Sequence, residues 1–136
     1  MKNNRSMPHA QVIPELAYPD VEAAARWLAD AFGFTLRLRI GDHRIQMEYG
    51  TGAIVLRQGP APGPEASASH SLMIRVDNVD QHHAKALAAG ARVSGAPVTY
   101  PYGERQYPAQ DFAGHAWVFS QSLDDVHPSQ WGGTLA

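Results

Sequence analysis

Cysteine is absent from this 136-residue chain. That excludes disulfides, thiolate nucleophiles and Cys-type zinc sites, and it agrees with a reducing cytoplasm as the expected compartment. No apolar run approaches the roughly 18 residues that a membrane-spanning helix requires. Basic runs are missing as well: the formal charge is −2 and the pI near 6.4, so neither nucleic acid nor a membrane is an expected partner. No Gly-rich phosphate loop, nucleophile elbow or His-Glu-x-x-His helix occurs. The first ten residues carry charge without a following apolar stretch, so they read as a disordered lead-in and not as a secretory signal.

What is present is a chain of ordinary hydrophobic content, 44%, enough for one domain or two small modules sharing a core. Val12 to Tyr18 reads as a strand interrupted by Pro14. Asp20 is placed to cap a helix, and Val21, Ala24, Ala25, Leu28, Ala31 and Phe32 recur at helical spacing before Gly33 ends it. Three strands are then expected, Phe34 to Ile40, Arg44 to Tyr49 and Ala53 to Gln58, joined by hairpin-length turns. The Pro- and Gly-rich stretch 59–69 reads as an exposed linker.

Beyond the linker the pattern restarts. Ser71 to Val76 is an expected strand, and Asp77-Asn78 offers a second cap. Val79, His83, Ala86, Leu87 and Gly90 are expected along one side of a second helix, followed by strands Ala91 to Val98, Glu104 to Gln110 and His115 to Gln121. One offset, 57 residues, separates Asp20 from Asp77 and Gly33 from Gly90 (77 − 20 and 90 − 33). The fold class that follows is α+β, with two tandem β-α-β-β-β modules at 11–58 and 70–121 and a polar tail at 122–136. Two such sheets facing each other would enclose a cleft.

The last two strands hold the most specific pattern. Asp111 and Gly114 occupy the first and fourth positions of a tight turn, where a type I turn favours them. After it His115, Trp117 and Phe119 alternate with Ala116, Val118 and Ser120, so one strand presents two different faces. Paired modules of this layout, with Val76-Asp77 entering the second helix, YGERQ, and D-x-x-G-H-x-W-x-F, resemble the glyoxalase, bleomycin-resistance and extradiol-dioxygenase superfamily over about residues 11–121. The resemblance implies a cupped pair of modules, commonly a homodimer. It also implies four metal-ligand positions, which fall here on Ile13, Leu56, Ser71 and Val118. Three apolar residues and a serine do not hold a divalent metal, so no metal and no cofactor are expected. His70 and His115 lie near two of those positions, but using them requires separate one-residue slips in two strands.

The same parity suggests what lines the cleft. Glu15 and Ala17 are grouped with Ile13; Ile54 and Gln58 with Leu56; Met73 and Arg75 with Ser71; Ala116 and Ser120 with Val118. This mixture suits a small-molecule pocket, although each of Ile13, Leu56, Met73 and Val118 taken alone reads first as core. Glu15 and Arg75 either pair with each other or meet a ligand, because unpaired buried charge is costly. Tyr102 and Arg105 either stack on and clamp a ligand or simply build a hairpin, with Glu104 and Arg105 on opposite faces. Trp117 and Phe119 are expected between sheet and helix, His82 and His83 on a solvated helix surface, and His9 and His127 in tails. Trp131 is expected to dock on the other module or on a second subunit.

The leading expectation is a metal-independent protein that binds a small planar or amphiphilic molecule, for sequestration or resistance. Its ligand-contacting candidates are Glu15, Leu56, Gln58, Met73, Arg75, Tyr102, Arg105 and Val118. The alternative is a lyase, isomerase or dioxygenase of the same superfamily, with Glu15, Glu48 or Glu104 as general base. A third reading is an interaction module with a filled cleft.

Overall fold

A computed structural model describes residues 2–63, 65 and 68–136; positions 64, 66 and 67 of the expected linker lie outside the described residues. The chain divides into two units, residues 1–62 and 63–136. The first contains β1 (Glu15–Tyr18), α1 (Val21–Phe32), β2 (Thr35–Ile40), β3 (Arg44–Tyr49) and β4 (Gly52–Gln58). The second contains β5 (Leu72–Arg75), α2 (Val79–Ala88), β6 (Arg92–Val93), β7 (Val98–Thr99), β8 (Glu104–Gln110) and β9 (Ala116–Ser122), with a short 3-10 turn at Pro128–Gln130. The β-α-β-β-β repeat is borne out. Its sheets run β1-β4-β3-β2 and β5-β9-β8-β6, with β7 also on β8, and in each the first strand is parallel to the last.

In the first unit the apolar stripe of α1 decides the packing. Asp20 caps the helix by accepting from the Ala23 amide, and Gly33, at φ 87, lets the chain turn back. Leu28 and Phe32 are fully buried over Ile45, Met47, Ile54 and Leu56. Phe34 and Tyr49 pack at the end of this face in a tilted arrangement, with ring centroids 5.4 Å apart. The opposite face of the sheet carries Glu15, Gln46 and Val55, which lie side by side in register. Here Arg44 pairs with Glu15, while Gln46 donates to the Ser6 carbonyl at 2.7 Å and Arg37 to the Arg5 carbonyl. Residues 5–8, expected to be a loose lead-in, are tied to this face by those bonds, and Pro8 is buried.

The second unit departs from the expected register at three places. Its helix cap is Asn78, not Asp77: the Asn78 side chain accepts from the Gln81 amide, so cap to glycine is one residue shorter than in the first unit. The face of α2 toward the sheet is Val79, His82, His83 and Ala86, and Leu87 is 52% exposed. The expected strand Ala91 to Val98 is two short pieces, both on β8, because Ser94-Gly95-Ala96-Pro97 intervenes and Pro97 has no N–H for the ladder.

The β8–β9 hairpin follows the sequence reading. Gly114 donates to the Asp111 carbonyl at 3.0 Å, closing the turn, and Gly114 sits at φ 98. The Asp111 carboxylate is fully buried and accepts from the amides of Ala113 and His115 and from the Trp117 indole N–H. Such a turn fixes the register of the entire hairpin. Trp117 and Phe119 lie buried beside Ala109 and Tyr107 on the helix side.

Candidate functional site

Residues facing away from α2 form the open face of the second sheet. Met73 lies beside Val118 and Pro108, and Arg75 beside Ser120 and Gln106. Met73 is 63% exposed, Pro108 is exposed, and Val118 and Ala116 are half-buried. This apolar strip runs into a groove of about 480 Å³ that also takes in Ser71, Gln110 and Arg92, a size suited to a drug-like molecule.

Toward the other end of the hairpin the face becomes polar and closely ordered. Ser120, 3% exposed, donates to Glu104 at 2.6 Å and accepts from the Gln106 amide at 3.0 Å. Tyr102 in turn donates to the Gln106 side-chain oxygen at 3.3 Å. The hydroxyls of Ser120 and then Ser122 hold the Glu104 carboxyl below the ordinary glutamate pKa; partial burial opposes this, and the charge of Arg75 reinforces it. Glu104 is thereby an ionised, acceptor-only group beside an apolar surface.

The structure brings Met73, Arg75 and Val118 onto this one face and joins Tyr102 to it through Gln106. Arg105 is on the opposite side, where it grips Asp80 of α2 with three bonds of 3.0–3.2 Å and reaches Thr99. That bond depresses the Asp80 pKa and raises that of Arg105. In the first unit Glu15 pairs with Arg44, whereas Leu56 is fully buried beside Leu16 and Ile45 on the helix side. The expected grouping of β4 is therefore reversed: Ala53, Val55 and Arg57 share the face of Glu15, while Leu56 and the exposed Gln58 do not. The parallel pairing sets Glu15 beside Val55, so parity counted along the chain did not carry across from β1 to β4.

Two features lay outside the candidates. Gln106 was legible, since the 111–114 turn pairs positions whose numbers add to 226, setting Gln106 opposite Ser120 and Glu104 opposite Ser122. The histidine pair of α2 was not. His82 bonds to the fully buried Tyr107 hydroxyl at 2.5 Å and lies 4.2 Å from the Phe119 ring centroid. His83 packs edge-on to Tyr107 and bonds to the Gly95 carbonyl. Both are half-buried structural groups, not solvated surface. Trp131 rests on Tyr102 of its own unit, with ring centroids 5.8 Å apart.

The profile of the Glyoxalase/Bleomycin resistance protein/Dioxygenase superfamily matches residues 6–119. The chain belongs to this superfamily. Among solved structures it is similar to TioX from Micromonospora sp. ML1, at 31% identity over 87% of this chain and 100% of that one, with a TM-score of 0.68. It is also similar to TnmS3, an antibiotic binding protein from Streptomyces sp. CB03234, at 26% identity over 86% and 98%, TM-score 0.66. A bleomycin resistance determinant encoded on transposon Tn5 shares the fold at 19% identity, covering 82% of this chain and 97% of its own, TM-score 0.65. No curated protein matches in sequence.

Of the positions that the resemblance assigns to metal ligands, Ile13 and Val118 are half-buried apolar groups and Ser71 is exposed just before β5, none of them a donor set for a divalent ion. Leu56 turns to the helix side, away from the face of Glu15, so the assignment on β4 does not hold. Among the described residues no group of three or more His, Asp or Glu side chains is arranged to hold a metal ion. Also among the described residues, no helix is long and apolar enough to cross a membrane.

Proposed function

We propose that this superfamily member is a metal-independent binding protein that holds a small planar or amphiphilic organic molecule against the open face of its second sheet. The observation that carries the reading is the juxtaposition on one face of uncovered apolar groups, Met73, Pro108 and Val118, with a fixed polar array, Glu104, Ser120 and Gln106. An apolar platform supplies affinity in proportion to area covered, about 25 cal/mol per Å², and the ordered polar groups orient what lies on it. The similarity to TnmS3, an antibiotic binding protein, supports a binding role, with sequestration of a toxic compound as its purpose. The working form is a homodimer in the cytoplasm.

Thermal melting tests this. Bleomycin and acridine dyes are added to the protein as isolated and after chelator treatment. A ligand at 100 times its Kd adds about 2.7 kcal/mol, a shift of several degrees. The expected result is a shift that survives the chelator and is lost in Val118→Arg. A melt that responds to added divalent metal, or a ligand shift indifferent to Val118→Arg, would overturn the proposal.

A further inference from the structure

The C-terminal segment returns to the polar end of this face and is fastened there by backbone contacts. Leu123 and Asp124 donate their amides to the Gly103 carbonyl at 2.7 and 3.2 Å. Gly103 is at φ 83, and a Cβ on it would lie 1.9 Å from the Asp124 carbonyl oxygen, so only glycine allows so close an approach. Farther on, the Trp131 indole donates to the Val126 carbonyl at 3.0 Å and turns its ring edge-to-face with Tyr102. Tyr102 is itself stacked on Tyr100, with ring centroids 5.3 Å apart. These groups border an open cavity of about 390 Å³ whose wall includes Tyr102, Glu104, Ser122, Asp124, Asp125 and Trp131. Among the described residues no Lys, Arg or His lines it.

Aromatic surface is attracted to cations through the ring quadrupole, and a carboxylate in a partly desolvated setting is a strong partner for an N–H⁺ donor. Glu104 is ionised and held in place by two serine hydroxyls. Arg75 interacts with Glu104 from the open face and is not part of the cavity wall. We propose that this cavity seats a positively charged organic group, a protonated amine or ammonium, of the ligand whose apolar body lies on the open face, with Glu104 as counter-ion and Tyr102 and Trp131 as aromatic walls. The inference rests on the open face being the ligand surface, and it adds the charge of the ligand and the position of its charged end.

The test uses two planar probes of similar size and opposite charge, 9-aminoacridine and acridine-9-carboxylate, titrated into the full-length chain while the methyl signals of Met73 and Val118 are followed by NMR. The expected result is tighter binding of the amine. Glu104→Gln should cost the amine about tenfold in affinity, the loss typical of one charged hydrogen bond, and leave the carboxylate no weaker. Trp131→Leu should weaken the amine several-fold. If both probes perturb Met73 and Val118 but the carboxylate binds as well as the amine, or Glu104→Gln leaves their ratio intact, the cation seat is wrong and the open face still stands as the ligand surface. If neither probe perturbs those methyl groups, the open face and the cation seat fall together.

Discussion

The two units repeat one topology with different chemistry on both faces of the sheet. On the helix side, α1 buries six apolar residues including Leu28 and Phe32, while α2 buries only Val79 and Ala86. The second unit compensates with polar and aromatic contacts: His82 on Tyr107 and Phe119, and Asp80 gripped by Arg105. On the other side, the first sheet is tied to residues 5 and 6 and bridged by Arg44 and Glu15. The second leaves Met73 and Val118 accessible beside an ordered carboxylate. Hydrogen-bond topology fixes the repeat, and side-chain identity at equivalent positions is free to give one sheet a face tied to the N-terminal residues and the other an exposed apolar strip.

The comparison breaks most sharply in the helices. Leu28→Ala should cost about 2–5 kcal/mol, because a fully buried leucine leaves a cavity that packing cannot refill. Leu87→Ala in α2 should stay within about 0.5 kcal/mol, since that side chain is half in solvent. Urea unfolding of both variants measures the difference, and equal losses would mean that the second helix is packed like the first.

A smaller effect is expected at the group that stands in for the missing leucines. Tyr107→Phe keeps the ring in the core and removes the hydroxyl bonded to His82, so stability should fall by about 1 kcal/mol. The same denaturation experiment measures it, and an unchanged midpoint would show that the bond contributes nothing net.

The smallest effect concerns pH. The folded-state pKa of Glu104 is depressed below its ordinary 4.5, so its contribution to stability is complete above that value and is lost as pH falls through the lower folded value. Stability of the wild-type chain should therefore decline more steeply below pH 4.5 than that of Glu104→Gln, while near neutrality Glu104→Gln is the less stable of the two. Parallel pH profiles would remove Glu104 from the ordered array.

How much of this was legible in the sequence depended on how local the governing contacts are. The stripe of α1, its Asp20 cap and the closing glycine are contacts within a few residues, and they were read correctly. The 111–114 turn is equally local, and because it pins the hairpin register it correctly separated Trp117 and Phe119 from Val118 and Ser120. Parity did not carry from β1 to β4, because the phase between two distant strands is set by their parallel pairing and not by counting along the chain. The burial of His82 likewise depended on Tyr107 and Phe119, partners far along the sequence.

The sequence by itself determined the repeat, the cap and closing glycine of the first helix, and the central hairpin. Only the tertiary structure decided that Arg105 is bound to Asp80 instead of facing outward, that Glu104 is held by serines, and that the tail returns to Gly103 and places Trp131 on Tyr102. Local patterns follow from backbone geometry that each short segment carries with it. Which charge finds which partner is settled only when strands and helix are brought side by side, because desolvation and hydrogen bonding act between neighbours in space.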